Sequence, residues 1–77
     1  MKNACCLAEL EPGESAAVRL LLSDGSIRRR LQDMGIIEGT NIECVLKSPY
    51  GDPSAYCIRG AIIALRCEDA ENIIVSV

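Results

Sequence analysis

Turn-forming residues recur along this chain at intervals that favour short strands over long helices. Glycine and proline interrupt it at Glu11–Glu14, Gly35, Gly39, Ser48–Pro53 and Arg59–Gly60. The intervals between these turns suit short strands. Because the chain shows no internal repeat, low-complexity tract or linker, we predict one continuous domain over residues 1–77.

Alternating apolar residues predict about five antiparallel strands. These strands are Ala16–Leu22, Asn41–Lys47, Tyr56–Ile58, Ile62–Arg66 and Asn72–Val77. Alternation assigns the following residues to their buried faces: Val18, Leu20 and Leu22; Ile42, Cys44 and Leu46; Ile63, Leu65 and Cys67; Ile73, Val75 and Val77. Closing so few strands into a small barrel covers their apolar faces and hides their edges. The expected fold is therefore all-β.

One short amphipathic helix is predicted between the first two of these strands. Ser23–Ser26 offers capping side chains, and the apolar residues Ile27, Leu31 and Met34 follow at helical spacing. Gly35 then supplies the left-handed residue that commonly ends a helix.

The composition favours a binding module over an enzyme. Hydrophobic residues make up 49% of the chain, yet Phe and Trp are absent, so the core must be aliphatic. So small a domain has little room for a deep catalytic pocket. The sequence contains no His, no nucleophile motif and no phosphate-binding loop, which argues against catalysis and nucleotide hydrolysis.

The charge and hydropathy of the chain indicate which partners and which cellular compartment to expect. The net charge is −3 and Tyr50 and Tyr56 are the only aromatic residues, so nucleic acid is not an expected partner. No signal peptide or membrane-spanning stretch is evident in the sequence. We therefore expect a cytoplasmic protein that does not insert into the membrane.

The five cysteines show neither CxxC spacing nor an even count. The simplest interpretation makes Cys44, Cys57 and Cys67 small hydrophobic residues in strands, with thiolate metal binding as the alternative. A hairpin centred between Tyr50 and Gly51 would place Cys44 opposite Cys57, whereas alternation points these two thiols to opposite faces. A bulge or an asymmetric loop would reconcile the two patterns, so the sequence does not show that these two thiols converge on a metal.

Two surface features are candidate partner-binding sites. The first is the helix triplet Arg28, Arg29 and Arg30, since guanidinium groups are favoured at interfaces; alternatively, Arg29 and Arg30 pair with Asp33 and are merely solvated. The second is the loop formed by Tyr50, Gly51, Asp52 and Pro53. A third candidate is addition of a partner's strand to the last strand, Asn72–Val77; alternatively, this strand simply closes the barrel, as most such terminal strands do.

Four ordered motifs resemble the FeoA family along nearly the whole chain. They are Leu7-Ala-Glu-Leu-Glu-Pro-Gly-Glu14, Arg30-Leu-Gln-Asp-Met-Gly-Ile-Ile-Glu-Gly-Thr40, Ser48-Pro-Tyr-Gly-Asp-Pro53 and Ala64-Leu-Arg66. The resemblance implies an SH3-like barrel that assists FeoB, a membrane transporter of ferrous iron with a cytosolic G-protein domain. Cys5-Cys6 and Ser54 depart from the family's usual pattern.

Two functions follow as hypotheses. The first is a regulator that binds a FeoB-like transporter through Arg28–Arg30 and Tyr50–Pro53 and requires no cofactor. The alternative is a sensor or carrier of a transition metal such as ferrous iron, with Cys44, Cys57 or Cys67 as thiolate ligands.

Overall fold

A computed structural model describes residues 4–48 and 52–76 as a single antiparallel sheet with short helices beside it. In chain order its elements are β1 (Ala4–Cys6), a 3₁₀ turn (Leu7–Glu9), β2 (Ser15–Leu21), α1 (Gly25–Asp33), β3 (Asn41–Lys47), β4 (Ser54–Ile58), β5 (Ala61–Leu65), α2 (Cys67–Ala70) and β6 (Ile73–Ser76). The strands lie in the order β1-β6-β2-β3-β4-β5. The prediction of an all-β fold with one short amphipathic helix is confirmed.

Two short elements were not predicted from the sequence. Strand β1 pairs with β6, with Cys5 opposite Val75, but its three residues are too few to show a periodicity. Helix α2 begins at Cys67, which was predicted to continue a strand and instead is exposed at the start of this helix. The acidic run that follows Cys67 forms the helix.

The core is one aliphatic cluster with a single aromatic side chain. Tyr56 is its largest member and is only 1% exposed. The other buried hydrophobic residues are Leu7, Leu10, Ala16, Val18, Leu21, Leu31, Ile36, Ile42, Cys44, Ile58, Leu65, Ala70, Ile73 and Val75. Every strand from β2 to β6 contributes to this cluster, so the sheet and α1 share one core.

A bulge in β2 changes which side chains face the core, so part of the buried face predicted for this strand is wrong. The pairing of β2 with β6 shifts register between Val18 and Leu20. One extra residue reverses the alternation, so Leu21 is buried while Leu20 and Leu22 are 51% and 56% exposed. Only Val18 of the predicted buried set in this strand lies in the core.

A second bulge, in β3, decides where the cysteines point. The register shifts between Cys44 and Leu46, which leaves Leu46 62% exposed instead of buried. Cys44 lies opposite Tyr56, and Cys57 lies opposite Glu43. A bulge is one of the two features that would reconcile the sequence patterns, and with it Cys44 and Cys57 lie on opposite faces.

Helix α1 starts without the side-chain cap predicted for it. Asp24 occupies the capping position, but its side chain makes no capping hydrogen bond. Leu31 is fully buried, whereas Ile27 is 43% exposed. Gly35 follows the helix with a φ of 95°, which confirms the predicted left-handed residue.

Candidate functional site

A groove of about 460 Å³ separates α1 from β5 and α2. Its walls are Ile27, Arg30 and Met34 of α1, Ala64 and Leu65 of β5, and Arg66, Glu68 and Asp69 at the start of α2. Apolar and charged side chains thus alternate along one open cleft. We call it the α1–β5 groove.

The structure distributes the three helix arginines differently from the single face predicted. All three are exposed. Arg30 lines the α1–β5 groove, whereas Arg28 lines a smaller groove of about 200 Å³ against β2 and the segment after α1. Arg29 lines neither groove. Of the predicted triplet, Arg28 and Arg30 therefore line two different grooves, and Arg30 is the one that faces β5 and α2.

The arginines are not neutralised by acidic neighbours. Over residues 4–48 and 52–76 the structure contains one ion pair, between Lys47 Nζ and Glu11 Oε2 at 3.1 Å. The alternative that Arg29 and Arg30 pair with Asp33 is therefore not realised. Arg66, on the opposite wall of the α1–β5 groove, also forms no ion pair with a described residue.

The second predicted site is described only in part. Tyr50 and Gly51 lie outside the described residues, and Pro53 is exposed. Asp52 is exposed as a residue, but its Oδ1 accepts a 2.8 Å hydrogen bond from the backbone amide of Cys67. Asp52 is thereby connected to the segment that forms one wall of the α1–β5 groove. The structure thus links one end of the predicted loop to the groove that contains Arg30.

The last strand is not the free edge that the sequence analysis considered. Strand β6 lies between β1 and β2 and pairs with both. The prediction that a partner's strand adds to Asn72–Val77 is therefore wrong for the part of this strand that the structure describes. The sheet instead ends at β1 on one side and at β5 on the other.

The three candidate metal-ligating cysteines do not converge. Cys44 is fully buried in β3, Cys57 is half-buried on the other face of the sheet, and Cys67 is exposed in α2. Burial raises the pKa of the Cys44 thiol. Partial desolvation and the Glu71 carboxylate raise the pKa of the Cys67 thiol. Both shifts disfavour the thiolate form that binds metals.

The described part of the chain contains no group of three or more Cys, Asp or Glu side chains arranged to hold a metal ion. It also contains no helix with the length and apolar character needed to cross a bilayer.

Sequence reasoning did not identify most of the groove. Ile27 and Met34 were assigned to the buried stripe of the helix, and Leu65 to a strand face. The sequence signal available was Ala64-Leu-Arg66, which contributes three consecutive residues to the groove wall. Its position in space depends on how β5 is placed relative to α1, which strand periodicity does not specify.

Comparison with known proteins identifies the family. The FeoA domain family model matches residues 5–77. A fusion of Fe(2+) transport protein A with the Fe(2+) transporter FeoB, from Porphyromonas gingivalis, is 36% identical over 67 residues. The match covers 87% of this chain but only 8% of the fusion protein.

Two solved structures extend the comparison to the fold. A FeoA-like protein from Clostridium acetobutylicum superposes with a TM-score of 0.89 at 36% identity, covering 100% of this chain and 90% of that one. Stenotrophomonas maltophilia FeoA complexed with zinc, described as an SH3 domain protein, superposes with a TM-score of 0.76 at 31% identity, covering 91% and 87%. The SH3-like fold is confirmed. The chain belongs to the FeoA domain family.

Proposed function

We propose that this protein is a cytoplasmic, non-catalytic accessory of ferrous iron uptake that binds a FeoB-type membrane transporter from its cytosolic side and modulates it. The observation that carries the proposal is the α1–β5 groove, where Arg30 and Arg66 lie beside apolar side chains and form no ion pair with the described residues, including Glu68 and Asp69 of the same groove. Arg30 and Arg66 are exposed in the free chain, and arginine beside apolar side chains is typical of surfaces that become buried in protein interfaces.

The Porphyromonas relative supports the choice of partner. In that protein a segment similar to this chain is part of the same polypeptide as a FeoB transporter. Fusion raises the effective concentration of two domains that act together. Two domains that act together in this way are expected to contact each other through a binding surface.

The proposal is tested by titrating the isotope-labelled protein with the soluble G-protein domain of a FeoB-type transporter, with and without nucleotide, while backbone amide shifts are followed. We expect saturable shifts at Arg30 and across Leu65–Asp69. Arg30→Glu should weaken binding by at least about tenfold, because it reverses a charge in the groove. Arg29→Glu is the matched control, since it makes the same charge change outside the groove.

A titration without shifts at about 1 mM partner, where even weak complexes are populated, would contradict binding to this domain. Equal effects of Arg29→Glu and Arg30→Glu would contradict the groove as the binding surface, because general electrostatic attraction would then account for the affinity.

Metal binding is the second candidate function, and the zinc-bound structure of the Stenotrophomonas protein is the observation that favours testing it. We propose that this chain requires no metal for partner binding. Its test is a titration with ferrous iron and with zinc followed by dialysis. Stoichiometric retention that is lost in Cys44→Ser, Cys57→Ser or Cys67→Ser would favour the metal-binding function.

A further inference from the structure

Strand β5 has one edge without a strand partner. It ends the described sheet and pairs only with β4. Arg59 and Gly60, with φ of 53° and 84°, form the two-residue turn between them, so Ile58 and Ala61 are the flanking hydrogen-bonded pair. Hydrogen-bonded and non-bonded pairs then alternate along the hairpin.

This alternation determines which backbone groups of β5 face outward. Ile63 and Leu65 exchange hydrogen bonds with β4, whereas Ile62 and Ala64 belong to the non-bonded pairs opposite Cys57 and Ala55. The amide and carbonyl groups of Ile62 and Ala64 therefore point away from β4, along the open edge. No backbone bond from these groups to another described segment is present.

The edge also lacks the features that usually prevent strand addition. Strand β5 reads Ala-Ile-Ile-Ala-Leu, without a charged residue or proline, and its register with β4 contains no bulge. Ile62 is 61% exposed, and Ala64 is also exposed. An edge of this kind readily accepts an extended segment of another protein.

The α1–β5 groove lies beside the same edge. Ala64 and Leu65 form one wall, and Ile27 and Met34 of α1 lie on the other. A strand added to β5 would direct alternate side chains towards this apolar space. Arg30 and Arg66 at the rim would then face the added segment.

We propose that an extended segment of the partner adds a strand to the free edge of β5, with a carboxylate side chain held by Arg30 and Arg66. This inference rests on the proposed function and names the surface and the kind of segment that it uses. Charge favours this occupant, since neither arginine forms an ion pair with the groove's own acidic residues, Glu68 and Asp69. Arginine is therefore available to bind a partner's carboxylate in a two-pronged geometry.

A second copy of this chain is a poorer occupant of the edge. Strand β5 itself carries no carboxylate. Antiparallel pairing of two β5 strands about Ile63 would bring Arg66 of each copy close to the Arg59–Gly60 turn of the other. Arg59 and Arg66 would then repel, and Arg30 would stay unpaired.

The test is amide hydrogen exchange of the full chain, alone and bound to the soluble G-protein domain of a FeoB-type transporter. In the free chain Ile63 should exchange slowly and Ile62 and Ala64 quickly, because only Ile63 bonds to β4. On binding, we expect exchange at Ile62 and Ala64 to slow by at least about tenfold.

Substitutions distinguish strand addition from side-chain contact. Ala64→Pro removes an outward amide at an edge position where proline is tolerated, and should weaken binding by at least about tenfold. Ala64→Val changes the side chain but retains the amide, so it should weaken binding clearly less than Ala64→Pro if the outward amide is what the partner uses. If Ala64→Pro does not fold, the exchange measurement on the unaltered chain decides.

The outcomes separate the two proposals. A complex that forms while Ile62 and Ala64 exchange at their free rates would overturn strand addition and leave the proposed function standing. Absence of any complex would overturn both. Protection of Ile62 and Ala64 that rises with the concentration of this protein alone would identify a second copy as the occupant and overturn a partner segment.

Discussion

The Oδ1 atom of Asp52 accepts a 2.8 Å hydrogen bond from the backbone amide of Cys67, fifteen residues further along the chain. Cys67 is the first residue of α2, and its amide has no carbonyl partner within so short a helix. Asp52 thus caps α2 from a distant loop. One residue of the loop predicted to bind a partner therefore has a structural role.

Asp52→Ala should lower the free energy of unfolding by about 1 kcal/mol, the usual cost of losing a helix-capping side chain. Asp52→Asn retains an acceptor oxygen and should cost clearly less. Urea unfolding of both variants measures the difference. Equal losses in the two variants would show that the charge of Asp52, and not its hydrogen bond, is what stabilises the fold.

The sequence predicts the strands well where alternation is uninterrupted. In β4 and β6 the buried residues follow the alternating pattern, as Ile58, Ile73 and Val75 illustrate. The alternating pattern fails to predict burial at Leu20 and Leu46, which each follow a bulge. Bulges depend on how a strand bends to close the sheet, so a local pattern of apolar residues does not locate them.

Lys47 joins β3 to the segment that follows the 3₁₀ turn. Its ammonium group lies 3.0 Å from the carbonyl oxygen of Ala8 and 3.1 Å from Glu11 Oε2. Lys47→Met should lower the free energy of unfolding by about 1–2 kcal/mol, mainly through the lost bond to Ala8, since the exposed Glu11 pair contributes little. Arg29→Met is the control and should change stability by less than about 0.5 kcal/mol.

The contribution of Lys47 should depend on pH in one direction. Its hydrogen bond with Glu11 raises the pKa of Lys47 above its ordinary value of 10.5. Because the pKa of Lys47 is higher in the folded than in the unfolded state, the stabilisation is complete at pH values below the unfolded-state pKa. It disappears as pH rises through the folded-state pKa. The difference in free energy of unfolding between the wild type and Lys47→Met should therefore narrow as pH rises through that range, and a difference that does not narrow would contradict the assignment.

Cys44 and Cys67 should differ strongly in alkylation by iodoacetamide. Cys44 is fully buried and should react only when the chain unfolds, whereas exposed Cys67 should react in the native state. Because the pKa of Cys67 is raised above 9.0, its rate should increase by about tenfold per pH unit below that value. Mass spectrometry of peptides after timed quenching measures both rates. Fast modification of Cys44 in native protein would contradict its burial.

Protonation of Cys44 is also linked to stability. Burial raises the pKa of this thiol above its ordinary value of 9.0. The contribution of the protonated Cys44 thiol to stability is therefore complete at pH values below that ordinary pKa, and it is lost as pH rises through the folded-state pKa. Stability of the wild type should fall at alkaline pH more than that of Cys44→Ala, which has no thiol to ionise.

The sequence predicted the site less well than the fold. Arg30 was named, but as one of three equivalent arginines, because sequence spacing alone does not show which side of α1 faces a cleft. The free edge was assigned to the last strand, whereas β6 is covered by β1. Strand order depends on non-local pairing, so an edge cannot be assigned from the position of a strand in the chain.

Thr40 carries a buried hydroxyl for which the described residues offer no hydrogen-bond partner. The side chain is 7% exposed, while the backbone amide of Thr40 donates to the carbonyl of Ile37 at 3.0 Å and its carbonyl accepts from Val18 at 2.8 Å. Thr40→Val preserves the shape and both backbone bonds and removes only the unsatisfied hydroxyl. We expect it to raise the free energy of unfolding by about 0.5–1.5 kcal/mol, because burying an unpaired polar group is costly.

Thr40→Ser is the control, since it retains the hydroxyl, loses a buried methyl group and should destabilise by about 1 kcal/mol. If urea unfolding instead shows Thr40→Val to be less stable than the wild type by more than about 1 kcal/mol, the hydroxyl has a partner such as buried water, and the site around Gly39 and Thr40 is hydrated.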